Sequence, residues 1–180
     1  PNIENLNLKV AGVVYGESGV VVNDQLRTTN RRIYAAGDVC STFRFTHVAD
    51  AMARVAIQNA LFYGRKKAST LVIPSCTYTD PEIAHVGLYS EEASARGHRV
   101  ESLTVPLAEV DRAVLDEMTD GFVRVHHECG RLLGCTIVAT HANEMIGEAT
   151  YAISQHGTLS DISNTIHPYP TQIEALRKAG

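Results

Sequence analysis

The closing stretch IHPYPTQIEALRKAG places an imidazole, a phenol and a carboxylate close together, at His167, Tyr169 and Glu174. Histidine titrates near neutrality, and a tyrosine hydroxyl donates or accepts. A buried glutamate orients and polarises a ring that donates to it, so the three are the parts of an acid–base site. The same letters also spell a helix start. Thr171 with Glu174 three residues on is a capping box, and Pro170 ahead of it fixes the entry of the chain. Local sequence is compatible with both readings.

A second candidate is Gly37-Asp38, where the apolar run Ile33-Tyr34-Ala35-Ala36 stops. That run predicts a fully buried strand of a parallel sheet with its carboxyl end at Gly37. Open α/β sheets bind ligands at that end. Glycine allows close approach, and the Asp38 carboxylate accepts hydrogen bonds from sugar-like hydroxyls; alone, the pair is an ordinary turn. The helix expected over His47–Tyr63 improves the site, because its first amides present the positive end of a dipole. Elsewhere the signals are weaker. Asp111-Arg112 reads as a solvated ion pair, and His126-His127 point to opposite faces of a strand. His141 and His156 lack partners at ligand spacing, so no metal is assigned. The chain contains no Gly-x-Gly-x-x-Gly loop and no closely spaced redox cysteine pair. Cys40, Cys76, Cys129 and Cys135 are scattered and read as free thiols of a reducing cytosol.

The elements that must position these residues fall into two textures. Residues 1–70 hold short strand pieces, the 33–36 run and the long helix, and read as the tail of a partly parallel domain. From 71 to 180 the pattern is α+β, an antiparallel sheet flanked by helices. Its strands are SCTYTD, HRVESLTVPL, GFVRVHHE and LLGCTIVAT, the last two joined by a hairpin at Glu128–Arg131. Helices are expected at YSEEASARG, at ANEMIGEATYAISQHG with Gly157 just past its end, at TLSDI and at the carboxyl end. Apolar residues at 44% and charged residues at 20% suit a soluble globular chain. A net charge of −4 offers no footprint for nucleic acid or an anionic membrane, and no apolar run is long enough to span one. A cytoplasmic location is expected. The start at Pro1 and the stop at Gly180 lead us to expect a longer parent on one or both sides.

Four stretches in order, TTNRRIYAAGDV, FTHVADAMARVAIQNA, YTDPEIAHVG and HPYPTQIEAL, resemble the carboxyl-terminal part of the flavin-dependent pyridine nucleotide–disulfide oxidoreductases. That family includes glutathione reductase, dihydrolipoamide dehydrogenase and mercuric reductase. The resemblance implies that 1–70 is the end of an FAD-binding α/β domain and 71–180 the dimerisation domain. It implies Gly37 and Asp38 on FAD, with Asp38 at the ribityl chain, and the amides of His47, Val48 and Ala49 at the pyrimidine edge of the flavin. It further implies a homodimer, completed by the FAD and NAD domains of the parent chain, in which the closing motif reaches the partner's flavin and disulfide. Electrons would pass from NAD(P)H through FAD and a redox disulfide to substrate. The nucleotide loops and that disulfide lie outside these residues, so no cofactor is expected on the chain alone. One departure matters. Disulfide reductases place His-Pro-Thr-x-x-Glu at the end, whereas Tyr169 stands here for the histidine and His167 sits two residues earlier. A tyrosine is a poor base at neutral pH. Together with DRA at 111–113 this resembles mercuric reductase, where that tyrosine helps bind the metal ion. A dihydrolipoamide dehydrogenase-type enzyme with His167 as base, and a non-catalytic dimerising module, are the alternatives.

Overall fold

The computed structural model describes residues 1–180, which divide into two units, Pro1–Leu71 and Val72–Gly180. In the first, strands β1 (Tyr15–Gly16) and β2 (Gly19–Val20) form a minimal hairpin. Helix α1 spans Thr46–Leu61, and its buried Val48, Met52, Val55, Ala56 and Asn59 recur at helical spacing. Asn59 is the polar member of that stripe. Its Nδ2 donates to the carbonyls of Gln25 (3.1 Å) and Lys66 (2.8 Å), and its Oδ1 accepts from the Lys66 N–H (2.9 Å), tying the helix end to two loops.

The parallel strand expected at Ile33–Ala36 is not formed. The run is half-buried and folds back on its own hairpin, with the Thr28 N–H donating to Ile33 C=O (3.0 Å) and the Ala35 N–H to Leu26 C=O (3.1 Å). Its one bridge, Arg27 with Tyr34, is antiparallel. Four apolar residues specify burial but not which neighbour supplies the ladder, and here the nearest partner in sequence does.

The second unit is built on a five-stranded antiparallel sheet. Its strands are β3 (Ser75–Thr77), β4 (Glu82–Gly87), β5 (Glu101–Pro106), β6 (Phe122–Glu128) and β7 (Arg131–Ala139), in the order β3-β4-β7-β6-β5. β6 and β7 are joined through Cys129 (φ 50°) and Gly130 (φ 81°), the paired left-handed residues of a tight hairpin turn. Alternation sends Ala84, Val86, Val105, Val123, Val125, Cys135 and Ile137 to one face, all buried. Burial pushes the Cys135 thiol up to about 12, so it packs as a small hydrophobe.

The helices α2 (Ser90–Ala95), α3 (Asp111–Leu115), α4 (Ala142–Ser154), α5 (Leu159–Asn164) and α6 (Glu174–Lys178) complete the unit. α4 packs Ala142, Met145, Ile146 and Ala149 into the core, and α6 packs Ala175 and Leu176 there. The left-handed residue that ends α4 is His156 (φ 58°), one position before the glycine expected there. The capping box sits on α5. The Asp161 N–H donates to Thr158 Oγ1 (3.2 Å) and the Thr158 N–H to Asp161 Oδ2 (2.7 Å). At α6, by contrast, the Thr171 hydroxyl donates to the Pro168 carbonyl (2.6 Å), and the helix begins only at Glu174. Thr171-x-x-Glu174 is therefore not a capping box: the preceding turn claims the threonine, and Glu174 lies inside the helix.

On the sheet face opposite the core, two histidines are buried. The Thr136 hydroxyl lies 2.9 Å from His85 Nδ1, His85 Nε2 donates to the Gly87 carbonyl (3.2 Å), and the ring stacks on Tyr89. Ser102 Oγ lies 2.7 Å from His126 Nδ1. Burial is the main cause that pushes both imidazoles below their ordinary 6.5. The unfolded chain therefore binds more protons in acid. Stability from this source is complete above about pH 6.5 and is lost as pH falls from there through the lowered folded values. We expect the melting temperature to drop between about pH 7 and pH 5, and the double change His85→Gln, His126→Gln to flatten that slope. An unaltered slope in the double variant would refute the assignment.

Candidate active site

After α5 the chain runs through Thr165–Pro170 to the turn that starts α6, and this segment carries the candidate chemistry. His167 is anchored at both ring nitrogens. Nδ1 lies 2.8 Å from the Thr165 carbonyl and Nε2 lies 2.8 Å from Glu148 Oε1 on α4, with the side chain only 5% exposed. Both partners are oxygens, one a backbone carbonyl and the other a carboxylate. The imidazole thus holds the segment to α4 and presents no nitrogen outward.

Tyr169 is the opposite case. Its side chain is 69% exposed, and its hydroxyl donates to Asp111 Oδ2 at 2.7 Å, at the first turn of α3. That hydrogen bond, with the charge of the same carboxylate, raises the phenol above its ordinary 10; Glu174 adds a smaller push. At neutral pH Tyr169 is therefore a neutral phenol whose proton is committed to Asp111. Its oxygen keeps lone pairs to accept a hydrogen bond or ligate a cation.

Glu174 is buried, 6% exposed, with Arg177 Nη2 3.6 Å away. Gln172 beside it is also buried, and neither carboxamide atom has a partner. A cavity of about 310 Å³ opens against the same segment, between Pro170–Ile173 and Arg112, Asp116 and His141. Asp111 and Arg112 do not pair with each other, as their adjacency had suggested. Arg112 Nε bonds Asp116 Oδ2 (2.7 Å) one turn on, which leaves Asp111 to the tyrosine. No local signal in the sequence reveals either anchor, because Asp111 and Glu148 lie 58 and 19 residues from the side chains they hold.

In the first unit, Gly37 is buried with φ +77°, and a Cβ there would stand 2.9 Å from the Ala49 Cβ. Only glycine lets the turn come this close to the start of α1. The turn Gly37–Val39 carries Asp38 exposed, and His47 stacks on Phe45 at the helix start. The Val48 and Ala49 N–H groups both donate to the Phe45 carbonyl (3.1 and 3.0 Å) within the first turn.

Comparison with known proteins bears on both units. Residues 73–180 match the family model described as pyridine nucleotide-disulphide oxidoreductase, dimerisation domain, and residues 1–53 match that described as pyridine nucleotide-disulphide oxidoreductase. A mercuric reductase of Staphylococcus aureus is 37% identical over 99% of the chain and 33% of its own length. A dihydrolipoyl dehydrogenase of Bacillus subtilis (strain 168) is 32% identical over 99% of the chain and 38% of its own. The chain thus spans about a third of the length of these relatives. Among solved structures, LpdA from Mycobacterium tuberculosis superposes with a TM-score of 0.92 at 28% identity, over 99% of this chain and 40% of that one. The HOCl-induced flavoprotein disulfide reductase RclA from Escherichia coli shares the fold, with a TM-score of 0.90 at 24% identity, over 99% of this chain and 42% of that one.

Proposed function

Because the chain belongs to the pyridine nucleotide-disulphide oxidoreductases, we propose that it supplies the end of the FAD domain and the dimerisation domain of a mercuric reductase-like enzyme. The parent would take electrons from NAD(P)H, pass them through FAD and a redox disulfide, and act as a homodimer. In this reading the closing segment of one subunit completes the site of its partner, and mercuric ion is the substrate. The observation that carries it is the state of Tyr169: an exposed, neutral phenol with its proton held by Asp111. Such a group offers oxygen lone pairs to a cation and cannot serve as the base that a dithiol substrate needs. The dihydrolipoamide alternative would require His167 as that base, and both of its nitrogens are engaged in a buried ring.

The residues of the first unit fit a flavin nucleotide. Gly37 packs the turn tightly against the start of α1, and the exposed Asp38 carboxylate beside it suits the ribityl hydroxyls. His47 lies at the start of α1, where Val48 and Ala49 shape the first turn. Bound there, FAD would supply the two-electron chemistry.

The test is NAD(P)H oxidation by the complete protein carrying this segment, driven in turn by mercuric ion, lipoamide (the cyclic disulfide) and glutathione disulfide. Mercuric ion is expected to be the best acceptor. Tyr169→Phe is expected to lower kcat/KM for it about tenfold or more, the loss of roughly 1.4 kcal/mol of transition-state stabilisation. Preference for the lipoyl disulfide would favour the dehydrogenase reading, and absence of any flavin-dependent turnover the dimerising module.

A further inference from the structure

The Tyr169 hydroxyl and the Asp111 carboxylate meet although they are far apart in the chain, and Asp111 is held there by its neighbours. Val110 and Ala113 on either side are fully buried in the core of the second unit, so the backbone of Asp111 is fixed while its carboxylate reaches the surface. The phenol reaches it from the other direction, on a segment already pinned at His167 by Glu148 and at Thr171 by the Pro168 carbonyl. Resting on the reading of Tyr169 just given, we propose that Asp111 is a positioning residue for it and sets the class of substrate it accepts. By accepting the phenolic hydrogen bond, the carboxylate fixes the hydroxyl rotor, and the free lone pairs of the oxygen point away from Asp111. A tyrosine held this way accepts but does not donate. To a ligand it offers only lone pairs, which suit a cation and give no proton to an anion such as a thiolate. The pair therefore selects for a cationic substrate, in the position where a histidine would select for a proton-bearing thiol.

The prediction is tested in two ways. The first is a double-mutant cycle in the complete enzyme, with mercuric ion as substrate. Asp111→Asn is expected to lower kcat/KM about fivefold when Tyr169 is present, the loss of one hydrogen bond that orients the phenol. In the Tyr169→Phe background it is expected to add nothing further, and Asp111→Glu should recover part of the loss. The second also uses the complete enzyme and needs no turnover. Ultraviolet difference titration against Tyr169→Phe isolates the ionisation of this phenol, which should move to lower pH in Asp111→Asn. No loss from Asp111→Asn with Tyr169 present, or an equal loss in both backgrounds, would overturn the positioning role. So would an unmoved phenol titration. If Tyr169→Phe leaves mercuric turnover intact while the titration shifts as expected, the substrate reading of Tyr169 has failed and the selective role falls with it. The two failures are therefore told apart.

Discussion

Leu176→Ala is expected to destabilise the second unit by about 3 kcal/mol, within the range for a fully buried leucine whose removal leaves a cavity. Leu176 has no exposed surface and belongs to α6, a helix of five residues, Glu174–Lys178. A helix this short has no stability of its own in water and exists because its apolar side packs. That side is Ala175, Leu176 and Ala179, of which only Leu176 brings a large side chain. Removing it strips the anchor from the element that directly follows the Tyr169–Glu174 segment. The melting temperature is expected to fall by roughly 10 °C or more. In the complete enzyme, turnover should fall further than stability alone requires, because the buried Glu174 and the Thr171 turn lose their support. A loss below about 1 kcal/mol would mean that the helix is held by something other than its apolar face.

Gly134→Ala is expected to cost a similar amount or more, by the opposite mechanism. A Cβ on Gly134 would stand 2.0 Å from the Leu88 carbonyl oxygen and 2.9 Å from its carbon. Both are backbone atoms and cannot rotate aside. Gly134 pairs with Gly87, itself at φ +84°, at the point where β4 leaves the central strand β7. Relief requires the two strands to separate locally, and overpacking of this kind costs about 3 kcal/mol where nothing soft can yield. The expected signature is a lowered midpoint in urea with faster amide exchange along β4 and β7. Gly147→Ala is the control. It lies in the middle of α4 with nothing within 4 Å of an added Cβ, and should gain about 0.5–1 kcal/mol from helix propensity. If Gly134→Ala proves as harmless as Gly147→Ala, the strand contact is softer than its geometry implies.

What the sequence determined by itself is whatever short-range pattern encodes. Alternation located β3, β5, β6 and β7, because a strand must send every second side chain to the core, whereas β4, which follows directly on the turn at Pro81, is not read as a strand. Helical spacing of apolar residues located α1 and α4, and Cys129-Gly130 marked the hairpin turn. The ordered motifs, read as a resemblance, led to the family. Tertiary structure alone decided the rest, in each case because a hydrogen-bonding group took a partner distant in sequence or one that local rules do not rank. Ile33–Ala36 paired with its own hairpin. Thr171 bonded the Pro168 carbonyl and left the cap that its spacing had suggested. The candidate site shows the same division. Tyr169, His167 and Glu174 are conspicuous as residue types, but their chemistry depends on their partners. His167 becomes an anchor through Glu148, and the Tyr169 hydroxyl is fixed by its hydrogen bond to Asp111. A carboxylate 2.7 Å from a phenol determines where its proton lies, and only the folded chain brings Asp111 to that distance.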